Sequence, residues 1–155
     1  MRVLITGATG FVGNHLASHL HTHDPDAIIY GTKLVETEKS NKHIKSTFLI
    51  DLKDYGQVRD MLVECQPDTI YHLAAQAFVP RSFEDPWETL ENNIRSQLNL
   101  IQACLELDIR PRMLIISSAE IYGAVDATQM PITANTPMRP TSPYSVSKVT
   151  QDMLG

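Results

Sequence analysis

With 155 residues, 43% of them hydrophobic and 20% charged, the chain has material for one domain with a sizeable core. The formal net charge of -5 comes from scattered acids, with no basic run of the kind that meets nucleic acid or an anionic membrane. No apolar stretch approaches the ~20 residues of a bilayer span, and Met1 to Thr6 reads as a strand rather than a signal peptide.

Val3-Leu4-Ile5 predicts the first strand, and Phe11 to His23 predicts the first helix. Between them runs Thr6-Gly7-Ala8-Thr9-Gly10-Phe11-Val12-Gly13, a GxxGxxG spacing. Glycines at a strand-to-helix turn let backbone approach a pyrophosphate at the helix N-terminus, where free N–H groups and the helix dipole favour negative charge. Gly7, Gly10, Phe11, Val12 and Gly13 are therefore candidate dinucleotide contacts. The plain alternative is a glycine-rich turn that binds nothing. Within the helix, His15 and His19 share a face, as do His19 and His23. No acid completes a catalytic zinc motif there, so a solvated helix end is expected and no metal site is assigned.

Ala27 to Tyr30 predicts the second strand. NAD-selective sites often place an acid just beyond it to bond the adenosine ribose. Here Gly31-Thr32-Lys33 follows, with no acid before Glu36. Thr32 and Lys33 are thus candidates for the 2′-phosphate of NADP, with NAD as the alternative cofactor and an ordinary surface lysine as the alternative for Lys33. Thr47 to Ile50 predicts a third strand that brings Asp51 and Leu52 to the adenine, and Tyr55 to Cys65 predicts a helix.

Thr69 to Leu73 predicts the fourth strand. Leu73, Ala74 and Ala75 at its end are compact enough for a cofactor to lie close, and His72 is expected to fill space or bond backbone. Arg81 and Ser82 follow, as substrate contacts or as surface residues. Pro86 to Leu107 predicts a long helix whose Leu90, Ile94, Leu98, Ile101 and Leu105 form a stripe expected to face the core on one side. Cys65 and Cys104, both in predicted helices and without metal spacing, read as buried thiols in a reducing, cytoplasmic setting.

Met113 to Ser117 predicts the fifth strand. A loop bearing Pro131, Pro137 and Pro140 leads to a last helix opening at Pro143-Tyr144. Tyr144 and Lys148 lie four apart and share a face of it. A phenol beside an ammonium gives up its proton more readily, which suits exchange with a sugar hydroxyl or ketone. Ser118, just past the fifth strand, is placed to hydrogen-bond the reacting oxygen. Five βα steps predict a doubly wound α/β domain with a parallel sheet, Rossmann-like, whose ligands sit beyond the carboxyl ends of the strands.

These pieces together resemble the extended branch of the short-chain dehydrogenase/reductase superfamily, the NAD-dependent epimerase/dehydratase family. The likeness is carried by Thr6 to Gly13, Asp51-Leu52, His72-Leu73-Ala74-Ala75-Gln76, Ser117 to Gly123, and Arg139-Pro140-Thr141-Ser142-Pro143-Tyr144-Ser145-Val146-Ser147-Lys148. It implies a triad of Ser118, Tyr144 and Lys148, with Lys148 also holding the nicotinamide ribose. Within the branch the chain is most similar to enzymes acting on GDP-linked sugars, GDP-mannose 4,6-dehydratase and GDP-4-keto-6-deoxy-mannose reductase. That likeness implies Glu120 as the base that removes a C5 proton in the dehydratase, and it implies a nucleotide-sugar substrate. Phe11-Val12 and Thr32-Lys33 depart from the dehydratase pattern of Gln-Asp and paired arginines, which favours the reductase. An epimerase is a third option, and a non-catalytic dinucleotide-binding module is the alternative of another class. The family's homodimers point to the helices at 86–107 and 143–155 as an interface. Because residue 155 falls seven positions past Lys148, the expectation is a dinucleotide-binding domain over 1–155, incomplete at its C-terminal end and without its substrate domain. Such a chain is expected to bind dinucleotide weakly and to leave sugar unconverted.

Overall fold

The computed structural model describes residues 1–155. Strands β1 (Arg2–Thr6), β2 (Ile28–Lys33), β3 (Ser46–Leu49), β4 (Thr69–His72) and β5 (Arg112–Ile115) form one parallel sheet in the order β3-β2-β1-β4-β5. Strand order reverses between β1 and β4, and in such sheets the crevice above that point is where ligands bind. This is the expected doubly wound α/β architecture.

Alternation along β1 sends side chains to both faces of the sheet. Val3 and Ile5 pack with Ile29, Ala8 and Ala17 on the side of α1 (Phe11–His23). Leu4 and Ile70 pack on the other side. There they meet Val58, Met61, Leu62 and Cys65 of α2 (Tyr55–Cys65) and Leu100, Ala103 and Cys104 from a helix later in the chain. Both cysteines are free and buried, and burial pushes their thiols up to about 12 and about 11. Asp54 caps α2 by accepting the Gln57 N–H.

Three differences from the sequence expectation concern the site. First, β2 runs on through Lys33, because Thr32 pairs with Phe48 and Lys33 with Leu49 of β3. Second, the Val79-Pro80 pair opens a short helix, α3 (Val79–Glu84), where proline in the first turn gives up no helical hydrogen bond. Third, the long helix is interrupted. It comprises α4 (Pro86–Leu90), a π-turn at Glu91–Arg95 and α5 (Ser96–Glu106).

The apolar stripe on this long helix is not its core face. Leu90, Ile94, Leu98 and Ile101 are only half-buried, and Leu105 is 75% exposed. The fully buried positions lie one residue earlier: Thr89, Asn93, Gln97 and Leu100. Periodicity revealed the helix, but hydrogen bonding chose the face, since buried polar groups are tolerated when paired. Against the π-turn and α4 packs α6 (Pro143–Leu154). Its start is set by Ser142, which accepts the Ser145 N–H while the Ser145 hydroxyl accepts the Ser142 N–H. No helix is long and apolar enough to cross a membrane.

Candidate functional site

The glycine loop sits at the carboxyl end of β1. Gly7 takes φ +65°, and a Cβ there would lie 3.1 Å from the Ala74 backbone. A Cβ on Gly13 would stand 2.5 Å from the Gly7 carbonyl and 2.7 Å from Ala8 Cα, so α1 approaches the loop only without one. Phe11 and Val12 are exposed at the helix start, leaving the N-terminal face of α1 open. That cradle fits an anionic group on free N–H donors.

The loop is held from the side by Thr32. Its hydroxyl accepts the Gly7 N–H at 3.1 Å and its carbonyl accepts the Ala8 N–H at 3.0 Å. Thr32 is 3% exposed. Its first task is therefore to brace the turn, not to stand free for a 2′-phosphate. Lys33 does not stand free either. Its ammonium donates to the Glu36 carbonyl at 3.0 Å and lies 3.5 Å from the Glu36 carboxylate.

A cleft of about 280 Å³ opens beside the loop, bordered by Gly7 and Gly10, by Thr32 and Lys33, and by Asp51 and Leu52. Leu73, Ala74 and Ala75 line it as well. Its volume lies just below the ~300–1,000 Å³ usual for small-molecule sites. Glu38, Asn92 and Ser96 also border it and were not singled out from the sequence.

Tyr144 and Lys148 form a second group, outside this cleft and beyond β5. Helix α6 packs on the 3₁₀ turn Ala119–Tyr122, which Ser118 caps. Tyr144 is 8% exposed and Lys148 4%. The Lys148 ammonium donates to the Ile116 carbonyl at 3.0 Å and lies 5.9 Å from the centre of the Tyr144 ring. Burial holds that ammonium below the usual lysine range. The Ser118 hydroxyl oxygen accepts the Glu120 N–H at 3.2 Å, which leaves its own hydrogen to donate outward. Glu120 is exposed on the turn. His72 is buried, shares a 2.9 Å hydrogen bond with Thr6, and has no partner for Nε2. Burial, with the Lys148 charge second, brings its imidazole down to about 4.

The two clusters are joined by Asn93 of the π-turn. Its Oδ1 accepts the Gln76 N–H at 2.7 Å, and its Nδ2 donates to the Gln76 carbonyl at 3.1 Å and to the Ser147 hydroxyl at 2.9 Å. One side chain thus ties the loop after β4 to the helix between Tyr144 and Lys148. The signal available in the sequence was Asn92-Asn93 inside an amphipathic helix, where asparagine is a poor helix former. Arg81 and Ser82 are placed away from such a role. Ser82 is fully buried and donates to the Val79 carbonyl, and Arg81 lies on the surface within reach of Glu84, Asp85 and Glu88. No group of three or more His, Cys, Asp or Glu converges to hold a metal ion.

A glycine loop at the switch point of a parallel sheet, and a Tyr-x-x-x-Lys helix beyond β5, define an extended short-chain dehydrogenase/reductase domain. The profile of the family described as GDP-mannose 4,6 dehydratase matches residues 4–155, and the chain belongs to that family. It is 34% identical over 154 residues to the GDP-6-deoxy-D-mannose reductase of Pseudomonas aeruginosa, covering 99% of this chain and 45% of that protein. It is 33% identical over 161 residues to the GDP-mannose 4,6-dehydratase of Vibrio cholerae, covering 96% and 43%. The UDP-glucose 4-epimerase of Thermus thermophilus, solved in complex with NAD, superposes with a TM-score of 0.87 at 32% identity, covering 99% of this chain and 49% of that one. The chain spans about half the length of the curated relatives it matches.

Proposed function

We propose that this chain is the dinucleotide-binding and proton-transferring part of a nucleotide-sugar oxidoreductase that reduces the 4-keto group of a GDP-6-deoxy-hexulose. The observation that carries this reading is the Tyr144–Lys148 pair, anchored to the end of β5 by the bond from Lys148 to the Ile116 carbonyl. The likeness to the Pseudomonas reductase supports the choice of substrate.

Gly7, Gly10, Phe11, Val12 and Gly13 receive the pyrophosphate, while Asp51, Leu52, Leu73, Ala74 and Ala75 enclose the adenosine. A bound nicotinamide dinucleotide supplies the hydride. Ser118 donates its free hydroxyl hydrogen to the ketone oxygen and orients it. Tyr144 delivers the proton that turns this oxygen into a hydroxyl. Lys148, whose ammonium spends one N–H on the Ile116 carbonyl, keeps two N–H groups for ribose hydroxyls. The expectation of NADP, with NAD as the alternative, rested on Lys33, whose ammonium here meets Glu36.

A second reading, the 4,6-dehydratase, is favoured by Glu120, whose exposed carboxylate stands two residues from Ser118 where it can take a C5 proton. Offering GDP-mannose alone separates the two in the protein carrying this chain. The reductase reading expects no product from GDP-mannose and rapid oxidation of reduced cofactor with the 4-keto-6-deoxy sugar. Appearance of that keto sugar from GDP-mannose without another enzyme means that the dehydratase reading was right. A homodimer through the 86–107 and 143–155 helices and a cytoplasmic setting belong to the same proposal.

A further inference from the structure

Three charged side chains border the adenosine cleft: Lys33, Asp51 and Glu38. Two are matched by a neighbour of opposite sign. Lys33 is taken by Glu36, and the Asp51 carboxylate lies 3.7 Å from the Lys53 ammonium while also accepting the Lys53 N–H at 2.9 Å. Glu38 makes no ion pair. Its carboxylate instead accepts from the Thr9 hydroxyl of the glycine loop at 2.7 Å. The net charge left at this end of the cleft is therefore one carboxylate.

That carboxylate is held in place by more than its own bond. The connection between β2 and β3 is pinned to α1 at two further points. Asn41 Nδ2 donates to the Asn14 carbonyl at 2.9 Å and to the Ser18 hydroxyl at 2.9 Å. The His43 ring stacks on His21 with centroids 4.0 Å apart. A loop fastened this way presents Glu38 to the cleft at a fixed place, which is the condition for a charge to discriminate between ligands.

We infer that Glu38 selects NAD(H) over NADP(H). The inference rests on the dinucleotide reading above and reverses the preference expected from Lys33. The 2′ position of the adenosine ribose is where the two cofactors differ. With NAD it carries a hydroxyl, which donates to a carboxylate in a charge-assisted hydrogen bond. With NADP it carries a phosphate of about -1.5 to -2, which a fixed, unmatched carboxylate repels. Glu38 reaches the cleft from a position in the chain well past the end of β2, which is why the sequence pattern there showed no acid.

The test is calorimetric titration of the chain with NAD⁺ and with NADP⁺, as wild type, Glu38→Gln and Glu38→Arg. Wild type should bind NAD⁺ tighter by on the order of tenfold, the scale set by one charged hydrogen bond. Glu38→Gln should close that gap from both sides, and Glu38→Arg should invert it. Raising salt should shrink the wild-type gap, because the penalty on the phosphate is screened. A wild type that binds NADP⁺ equally or more tightly overturns the inference, as does a gap that neither substitution moves. A wild type that binds neither cofactor overturns the dinucleotide reading itself, and the inference with it.

Discussion

The two ends of the sheet are built differently. At the β1–β2 end, the glycine loop is braced by Thr32 and pressed on by Gly13 and Ala74, and the cleft beside it is walled on several sides. At the β5 end, Leu114 is 48% exposed and Ile116 41%, and Ser118 and Glu120 stand on an open turn. On the proposed reading, the dinucleotide contacts fall in the first region and proton transfer in the second, so the two tasks can be tested apart.

Tyr144→Phe should divide the two ends most sharply. Turnover in the protein carrying this chain should fall by about 10²–10⁴, the contribution of positioned acid–base groups, while dinucleotide binding by calorimetry changes little. Parallel loss of both would mean that the ends are not separable. Asn93→Ala comes next, since it strips the partners from both backbone groups of Gln76 and removes the bond that the Ser147 hydroxyl accepts, leaving only its bond to the Tyr144 carbonyl. Chemical denaturation should show a loss of about 3 kcal/mol, given ~1–3 kcal/mol for each buried polar group left unpaired.

The third test uses pH. An unfolded imidazole takes up its proton near 6.5, whereas His72 in the fold does so only at about 4. Over that window the unfolded state binds more protons, so stability falls as pH falls. Between pH 7 and pH 5 this group should cost about 2 kcal/mol. Urea titrations at both values should show His72→Gln losing less than wild type. Equal losses would place the acid sensitivity elsewhere. The smallest effect belongs to Arg81→Ala. Its ion pairs are exposed, and such pairs are worth ~0–1 kcal/mol, so stability and KM for the sugar should hardly move. A large rise in KM would return Arg81 to the substrate.

The elements were legible wherever local chemistry acts alone. Gly7, Gly10 and Gly13 after an apolar run required a turn into a helix, and α1 and α2 begin and end where the sequence predicts. What the sequence hid depends on partners distant along the chain. Thr32 looked like a residue beyond a strand until pairing with β3 drew it inside. Lys33 looked free for a different reason: its partner is only three residues on, but the bend that folds Glu36 back on it leaves no mark in the sequence. The stripe from Leu90 to Leu105 looked like core because apolar periodicity cannot register a buried row of Thr89, Asn93 and Gln97 that bonds to groups elsewhere, Gln97 through its Nε2 alone.

The π-turn at Glu91–Arg95 also limits how the chain can vary. A π-turn holds about one residue more than an α-turn over the same length of axis, so removing one residue from this segment would let it regularise into an α-helix while α4 and α5 kept nearly their present faces. Asn93 would no longer point at Gln76 while Leu100 and Ala103 kept facing α2. The extra residue of this turn is what brings Asn93 onto Gln76, so a one-residue deletion should cost that contact before it costs the packing of α5 on α2.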